Sequence, residues 1–190
     1  MEVEKIGVRL EGLSHIMFDR FIDHSAEMRP PEQKFYLFGE NQVVLPADNI
    51  IYFLFSENPP GCAKAFEGKQ GKTYVQIGLG HVFIDPISIP FIKNDEPVIF
   101  DQFDNKCFQA YLAAGRTKKG TLSIKQEIKA RPVLMQPWSL EFKITIIKNS
   151  HIDETKLYNW FVNGGFRIGL GTYRPRFGRF EVGKWEKISN

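Results

Sequence analysis

Cysteine is nearly absent. Cys62 and Cys107 are the only two in 190 residues, and they form no CxxC pair. That excludes a disulfide framework and a cysteine-ligated zinc site, and leaves two small residues suited to burial in a reducing compartment. There is no HExxH, and His15, His24, His81 and His151 show no metal-ligand spacing, so no metal and no cofactor are expected. No GxSxG elbow occurs. Gly169-x-Gly171 lacks the third glycine and the following helix of a dinucleotide fingerprint. Gly115-Arg116-Thr117-Lys118-Lys119-Gly120 runs on into Thr121-Leu122, so it is not a phosphate-binding loop of the Walker type. No apolar run approaches the ~20 residues that span a bilayer. The first ten residues, MEVEKIGVRL, are charged and have no signal-peptide core. A cytoplasmic protein without a membrane partner is the expectation.

What is present is a large apolar and aromatic complement. Hydrophobic residues make up 43% of the chain and 17 are Phe, which excludes a disordered polymer and points to a β-containing globular domain. The length suits one core carrying insertions. Net charge is only +3, but the positive charge is concentrated. Residues 164–187 hold six Lys/Arg against two Glu, and residues 115–131 hold six against one, so the rest of the chain is net negative. Such concentration is the footprint of a polyanion site, or of two solvated strand edges protected by cations.

Periodicity supplies the elements. Residues 5–13 and 138–147 alternate apolar and polar, as strands with one wet face do, the second of them central. Residues 14–33 show no period and form a long loop. Residues 35–38 and 42–45 make a hairpin around Gly39-Glu40-Asn41. Pro46 and Asp48 open an apolar helix over 47–57, stopped by Asn58-Pro59-Pro60-Gly61. Residues 61–73 read as a Gly/Lys-rich loop and 74–84 as a strand bent at Gly78 and Gly80. Residues 107–114 and 121–133 read as two strands joined by a basic loop, with Pro132 confining the second to an edge or ending it there. Leu157, Trp160 and Phe161 mark one face of a helix over 153–162, ended by Asn163-Gly164-Gly165. A strand over 180–185 closes the chain. This order predicts an α+β fold: one domain over 1–190, an RRM/ferredoxin-like antiparallel sheet with helices on one face and insertions at about 14–34 and 58–73.

The segment from Gly164 to Phe180 stands out. It holds five glycines, four arginines and four aromatics, and no acid. Arginine offers a flat, permanently charged fork for phosphate, and aromatics offer faces for bases. Arg167, Arg174, Arg176 and Arg179 are the candidate phosphate contacts. Tyr173 and Phe177 are the candidate stacking residues, and Arg116, Lys118 and Lys119 extend the track. Phe177 could instead be buried where the loop returns to the sheet. The structural alternative is a glycine bend that lets helix and sheet pack closely, with Arg174-Pro175-Arg176 on the surface. His24, between Asp23 and Ser25, is the one histidine in a setting where a base could act on a ribose 2′-OH, against the reading of an ordinary loop histidine. Asp95, Glu96, Asp101 and Asp104 read as solvated loop charges rather than a metal cluster.

A helix, a glycine-rich loop and a strand near the C-terminus, Gly164-Gly165-Phe166-Arg167-Ile168-Gly169-Leu170-Gly171 … Arg176-Phe177-Gly178-Arg179-Phe180, resemble the RAMP proteins of CRISPR systems. Arg131-Pro132 and Arg174-Pro175 also resemble the tails of uncharacterised phage and mobile-element proteins. The first resemblance implies an RRM-like, RNA-binding protein akin to Cas7-like backbone subunits, acting as a homo-oligomer or within a multisubunit complex. The loop departs from the resemblance in the stiffness of Arg174-Pro175-Arg176. The leading expectation is therefore a non-enzymatic protein that binds RNA or single-stranded DNA. The alternatives are a metal-independent endoribonuclease resembling Cas6, with His24 as base, and a phage or mobile-element assembly or host-interaction protein that binds no nucleic acid.

Overall fold

The computed structural model describes residues 2–20, 29–114 and 128–189. The alternating N-terminal segment forms β1 (Val3–Gly12), with Ile6, Val8 and Leu10 buried. The chain then passes through β2 (Ile16–Met17) and a 3-10 turn (Pro31–Lys34) into the hairpin β3 (Leu37–Phe38) and β4 (Gln42–Pro46). Helix α1 (Ala47–Phe55) follows, with Pro46 as its N-cap, and buries Ile50, Phe53, Leu54 and Phe55.

The next stretch departs from the sequence reading. Residues 61–73 are not an aperiodic loop, and 74–81 are not a strand. They form α2 (Cys62–Phe66), a second 3-10 turn and α3 (Gly71–His81). Tyr74, Val75 and Gly78 are the buried positions of α3, a helical spacing. Gly78 sits against the Phe55 ring, where a side chain would collide with it. The glycine that suggested a bent strand is the contact point between two helices. Only the end of the expected strand is extended, as β5 (Val82–Asp85).

β6 (Ser88–Lys93), β7 (Glu96–Pro97), β8 (Phe108–Ala114) and β9 (Ile128–Leu134) come next, then β10 (Ser139–Ile147), α4 (Glu154–Arg167) and β11 (Phe180–Lys187). β10 is central, pairing antiparallel with β1 along its length. Its other edge takes β5 opposite 143–146 and β6 opposite 139–140, so these two strands lie end to end. The strand order β11-β1-β10-β5, antiparallel throughout, with α1–α3 and α4 in the two crossovers, is the ferredoxin-like split βαβ arrangement. The fold class read from the sequence holds.

Both principal helices cover the same face. The Phe53 ring of α1 meets Phe161 of α4 at 5.4 Å and Phe180 of β11 at 5.3 Å, and Phe161 meets Phe142 of β10 at 6.1 Å. Each such ring, fully buried, contributes roughly 1.5–3 kcal/mol. A second sheet, β2-β9-β8, packs Ile16, Phe108 and Leu134 into this core. β9 lies between β2 and β8, so Pro132 is not confined to an edge. Its carbonyl accepts from the Phe18 N–H just beyond β2 (2.9 Å).

Helix α4 also differs from expectation at its end. Asp153 caps its start, its side chain accepting from the Lys156 N–H. However, Gly164 and Gly165 do not terminate it. The helix runs on to Arg167, and the two glycines are buried contact points. A β-carbon at Gly164 would lie 2.5 Å from Cys62 Sγ and 2.7 Å from the Phe53 ring, and one at Gly165 would lie 2.5 Å from the Phe180 carbonyl. Cys62 is sealed beneath this contact, its thiol directed at the Trp160 carbonyl, and burial pushes its pKa up.

Gly164→Val should therefore wedge α4 away from α1 and α2. The expected loss is about 2–3 kcal/mol, the usual scale of overpacking. It should appear as a lower urea midpoint with an unchanged denaturant slope; a variant as stable as the parent would refute this account of the helix interface.

Candidate nucleic-acid interface

The segment after α4 is held by backbone. The Leu170 N–H donates to the Gly178 carbonyl (2.9 Å), the Thr172 N–H to the Met17 carbonyl (2.9 Å) and the Gly178 N–H to the His15 carbonyl (2.8 Å). The Leu13 N–H donates to the Arg179 carbonyl (2.7 Å), and the Arg179 N–H to Ser14 Oγ (2.9 Å). Gly178 is at φ +74 with the Leu170 carbonyl where a side chain would be, so only glycine fits there. Leu170 is fully buried. The glycines close a loop whose backbone is fixed against residues 13–17.

This frame sorts the candidate side chains. Phe177 is 8% exposed and packs with Met17 and Val133, its ring 5.3 Å from Tyr111. It covers the outer face of the small sheet, the position weighed from sequence as the alternative to stacking. Tyr173 lies above it at 6.4 Å, is 39% exposed and has φ +62, a conformation a bulky side chain rarely adopts. Arg176 and Arg167 are exposed, and the Arg167 guanidinium lies 5.2 Å from the centre of the Phe66 ring. Arg179 lies over Phe166 at 5.3 Å. Arg174 is half-buried, donates to the Gly169 carbonyl (3.2 Å), and burial lowers its pKa from the usual arginine value. His24, Arg116, Lys118 and Lys119 lie outside the described residues.

Three of these arginines converge. Arg167, Arg174 and Arg176 line an open cleft of about 700 Å³ together with Tyr173, Pro59 and Pro60. A fourth, Arg131 of β9, also lines it, and among the described residues no carboxylate does. Arg131 reaches this position because β9 runs between β2 and β8. In the sequence it was visible as the last cation of the basic stretch 115–131 and as half of an Arg-Pro pair. Arg179 does not line the cleft.

The outer face of the main sheet offers a contrast. β1 and β10 present Lys5, Gly7, Arg9 and Glu11, and Glu141, Lys143 and Thr145, with no aromatic among them. Arg9 is bound to Glu141 (2.7 Å) and Glu11 (3.3 Å), and Lys184 to Glu186 (3.0 Å). An RRM stacks two or three bases on aromatics of its sheet. These two central strands have none to offer, and their one arginine, Arg9, is held by acids.

The loop carboxylates also have assignments. Asp104 Oδ1 accepts from the backbone N–H groups of Lys106, Cys107 and Phe108 at 2.8–3.0 Å, opening the turn into β8. Among the described residues no three His, Cys, Asp or Glu side chains come close enough to hold a metal ion. No helix among them is long and apolar enough to cross a membrane.

The fold and cleft thus define a ferredoxin-like α+β protein with an arginine-lined groove beside its C-terminal strand. Neither the protein-family models nor the curated proteins contain a match to the chain. Among solved structures, it is similar to a chain in the "Cryo-EM structure of the Type III-B Cmr-beta bound to cognate target RNA", at 14% identity and a TM-score of 0.57. The likeness covers 99% of this chain and 61% of that one, so the chain spans about three-fifths of its neighbour's length. At this identity the likeness is one of fold, and it agrees with the RAMP-like architecture that the C-terminal motif implied.

Two outcomes follow from these placements. Arg174→Ala should lower stability by roughly 1–2 kcal/mol, because it removes a charged donor from a half-buried carbonyl, whereas Arg176→Ala should leave the melting temperature unchanged. Equal melting temperatures for the two variants would contradict the roles assigned. Backbone donation also holds the Asp104 pKa down to about 2 from the ordinary 3.8. A depressed carboxylate stabilises the fold above its unfolded value, and that contribution is lost as pH falls through the folded one. Asp104→Asn should thus flatten the decline of melting temperature between these two pH values, and an unaltered acid limb would rule the turn out as its source.

Proposed function

We propose that the protein binds RNA or single-stranded DNA in the arginine cleft, without cutting it. The observation that carries this reading is the convergence of Arg131, Arg167, Arg174 and Arg176 on one groove with no acid among the described residues that line it. A groove of this charge attracts a polyanion. Its volume lies in the range of sites that take drug-sized or nucleotide-sized groups. Tyr173 at the rim gives a base a ring to stack on, held from beneath by Phe177. Arg167 and Arg176 contact phosphates at the groove edge, and Arg174 shapes the wall. Arg179, over Phe166, and the basic residues Arg116, Lys118 and Lys119 extend the path. The structural neighbour comes from a Type III-B Cmr-beta structure described as bound to cognate target RNA, which favours RNA; a homo-oligomer or multisubunit complex along the strand is part of the same proposal.

The test is a salt titration of binding to a labelled single strand. For single strands log K falls by roughly 0.7 per decade of salt for each phosphate neutralised. Arg167→Ala with Arg176→Ala should weaken binding to every sequence and flatten the slope by about 1.4. Tyr173→Ala should cost on the order of 1–3 kcal/mol with little change in slope. If the double arginine variant binds as the parent does across the salt range, the groove is not the binding site.

A further inference from the structure

Arg131 differs from the other arginines of the cleft. Its side chain is 11% exposed, and its Nε donates to Asp19 Oδ2 at 2.8 Å, Asp19 being 19% exposed. The strand that carries it is fixed on both sides, by β2 and by β8. Its guanidinium therefore has one position, whereas Arg167 and Arg176 lie in water. Yet its Nη1 is buried and has no hydrogen-bond partner among the described residues. A guanidinium facing a carboxylate can form two parallel bonds, the stronger arrangement. Here Asp19 takes the Nε and leaves Nη1 unpaired. Buried side-chain donors normally find a partner, and an orphan calls for an explanation such as a ligand. The acceptor that suits it is anionic, because the cleft it lines also carries Arg167, Arg174 and Arg176, and none of the described residues lining it is an acid.

We infer that Arg131, set by Asp19, is a built subsite for a single phosphate group at the floor of the cleft, its Nη1 reserved for one phosphate oxygen. Asp19 is a positioning residue that fixes the fork, and Arg131 is the contact. This deepens the binding proposal and rests on it for the source of the phosphate, a backbone phosphodiester. The site differs in kind from the rim. Exposed arginines act through counterion release and fade with salt, while a desolvated, pre-oriented fork is screened far less.

The closing experiment titrates inorganic phosphate into the full chain labelled with nitrogen-15, following the Arg131 Nε–H signal, assigned through its own backbone, with Arg176 as reference. The Arg131 signal should shift and saturate while that of Arg176 drifts without saturating. In Asp19→Asn, saturation should need about tenfold more phosphate. In parallel, Arg131→Lys, which keeps the charge and loses the fork, should weaken single-strand binding about tenfold at 0.5 M salt; Arg176→Lys should have little effect there. An Arg131 signal that does not move, or moves only as Arg176 does, overturns the subsite, and the wild-type titration decides this even if a variant fails to fold. If phosphate saturates Arg131 but no single strand binds, the subsite stands and the nucleic-acid reading falls. If strands bind while Arg131 stays silent and Arg131→Lys binds as the parent, the reverse holds.

Discussion

The molecule depends on main chain packed against main chain at its C-terminal end. Where α4 passes over α1, α2 and the start of β11, Gly164 and Gly165 leave no room for a side chain. Where the following loop turns back, Leu170 and Gly178 meet carbonyl to backbone, and the loop is bonded in turn to residues 13–17. Close approach of this kind is steep in distance and tolerates little adjustment, because interiors are packed like crystals. It brings the end of a helix, the first loop and the small sheet to one place. The arginine groove is a by-product of that junction, as its walls come from Pro59 and Pro60, from β9 and from the loop itself.

Burial divides the work among residues that look alike in the sequence. Tyr173 and Phe177 are four apart, both aromatic, both flanked by arginine, yet one is at the rim and the other is under it. Phe177 faces Met17 and Val133 because the small sheet has a second face to cover. The arginines divide in the same way. Arg176 is solvated, Arg174 is tied to the backbone, Arg179 rests on Phe166 and Arg131 is sealed by Asp19. A groove built from such different environments can orient a strand as well as attract it. Attraction comes from the solvated groups, and orientation from those that cannot move.

Alternation made β1, β10 and the β3–β4 hairpin legible, since a strand with one wet face writes its period into the chain. Helix α1 was legible from Pro46, Asp48 and the dense apolar run after them, and the start of α4 from Asp153. Helix α3 was not. Its Val75 and Ile77, running on into Val82 and Phe83 of β5, carry strand propensity, and Gly78 and Gly80 weaken a helix. Packing against Phe55 decides the outcome, and that contact is invisible locally. The Gly164-Gly165 pair misled for the same reason, because a glycine that ends a helix and one that lets a helix approach its neighbour are written with the same letter. The cleft was half legible. Its loop arginines stood in one acid-free run, but Arg131 comes from a strand more than thirty residues earlier. Only the pairing of β9 with β2 brings it in.

The position of Cys62 has a use of its own. The thiol lies fully buried under the α4 glycines, donates to the Trp160 carbonyl and is disfavoured as a thiolate by its surroundings. An alkylating reagent cannot reach it unless α2 and α4 part. Cys107, on the turn into β8, is only partly covered. The chain therefore carries a slow and a fast chemical clock on two separate layers of the fold. The ratio of their labelling rates measures how often α2 and α4 separate, with no probe added to the protein.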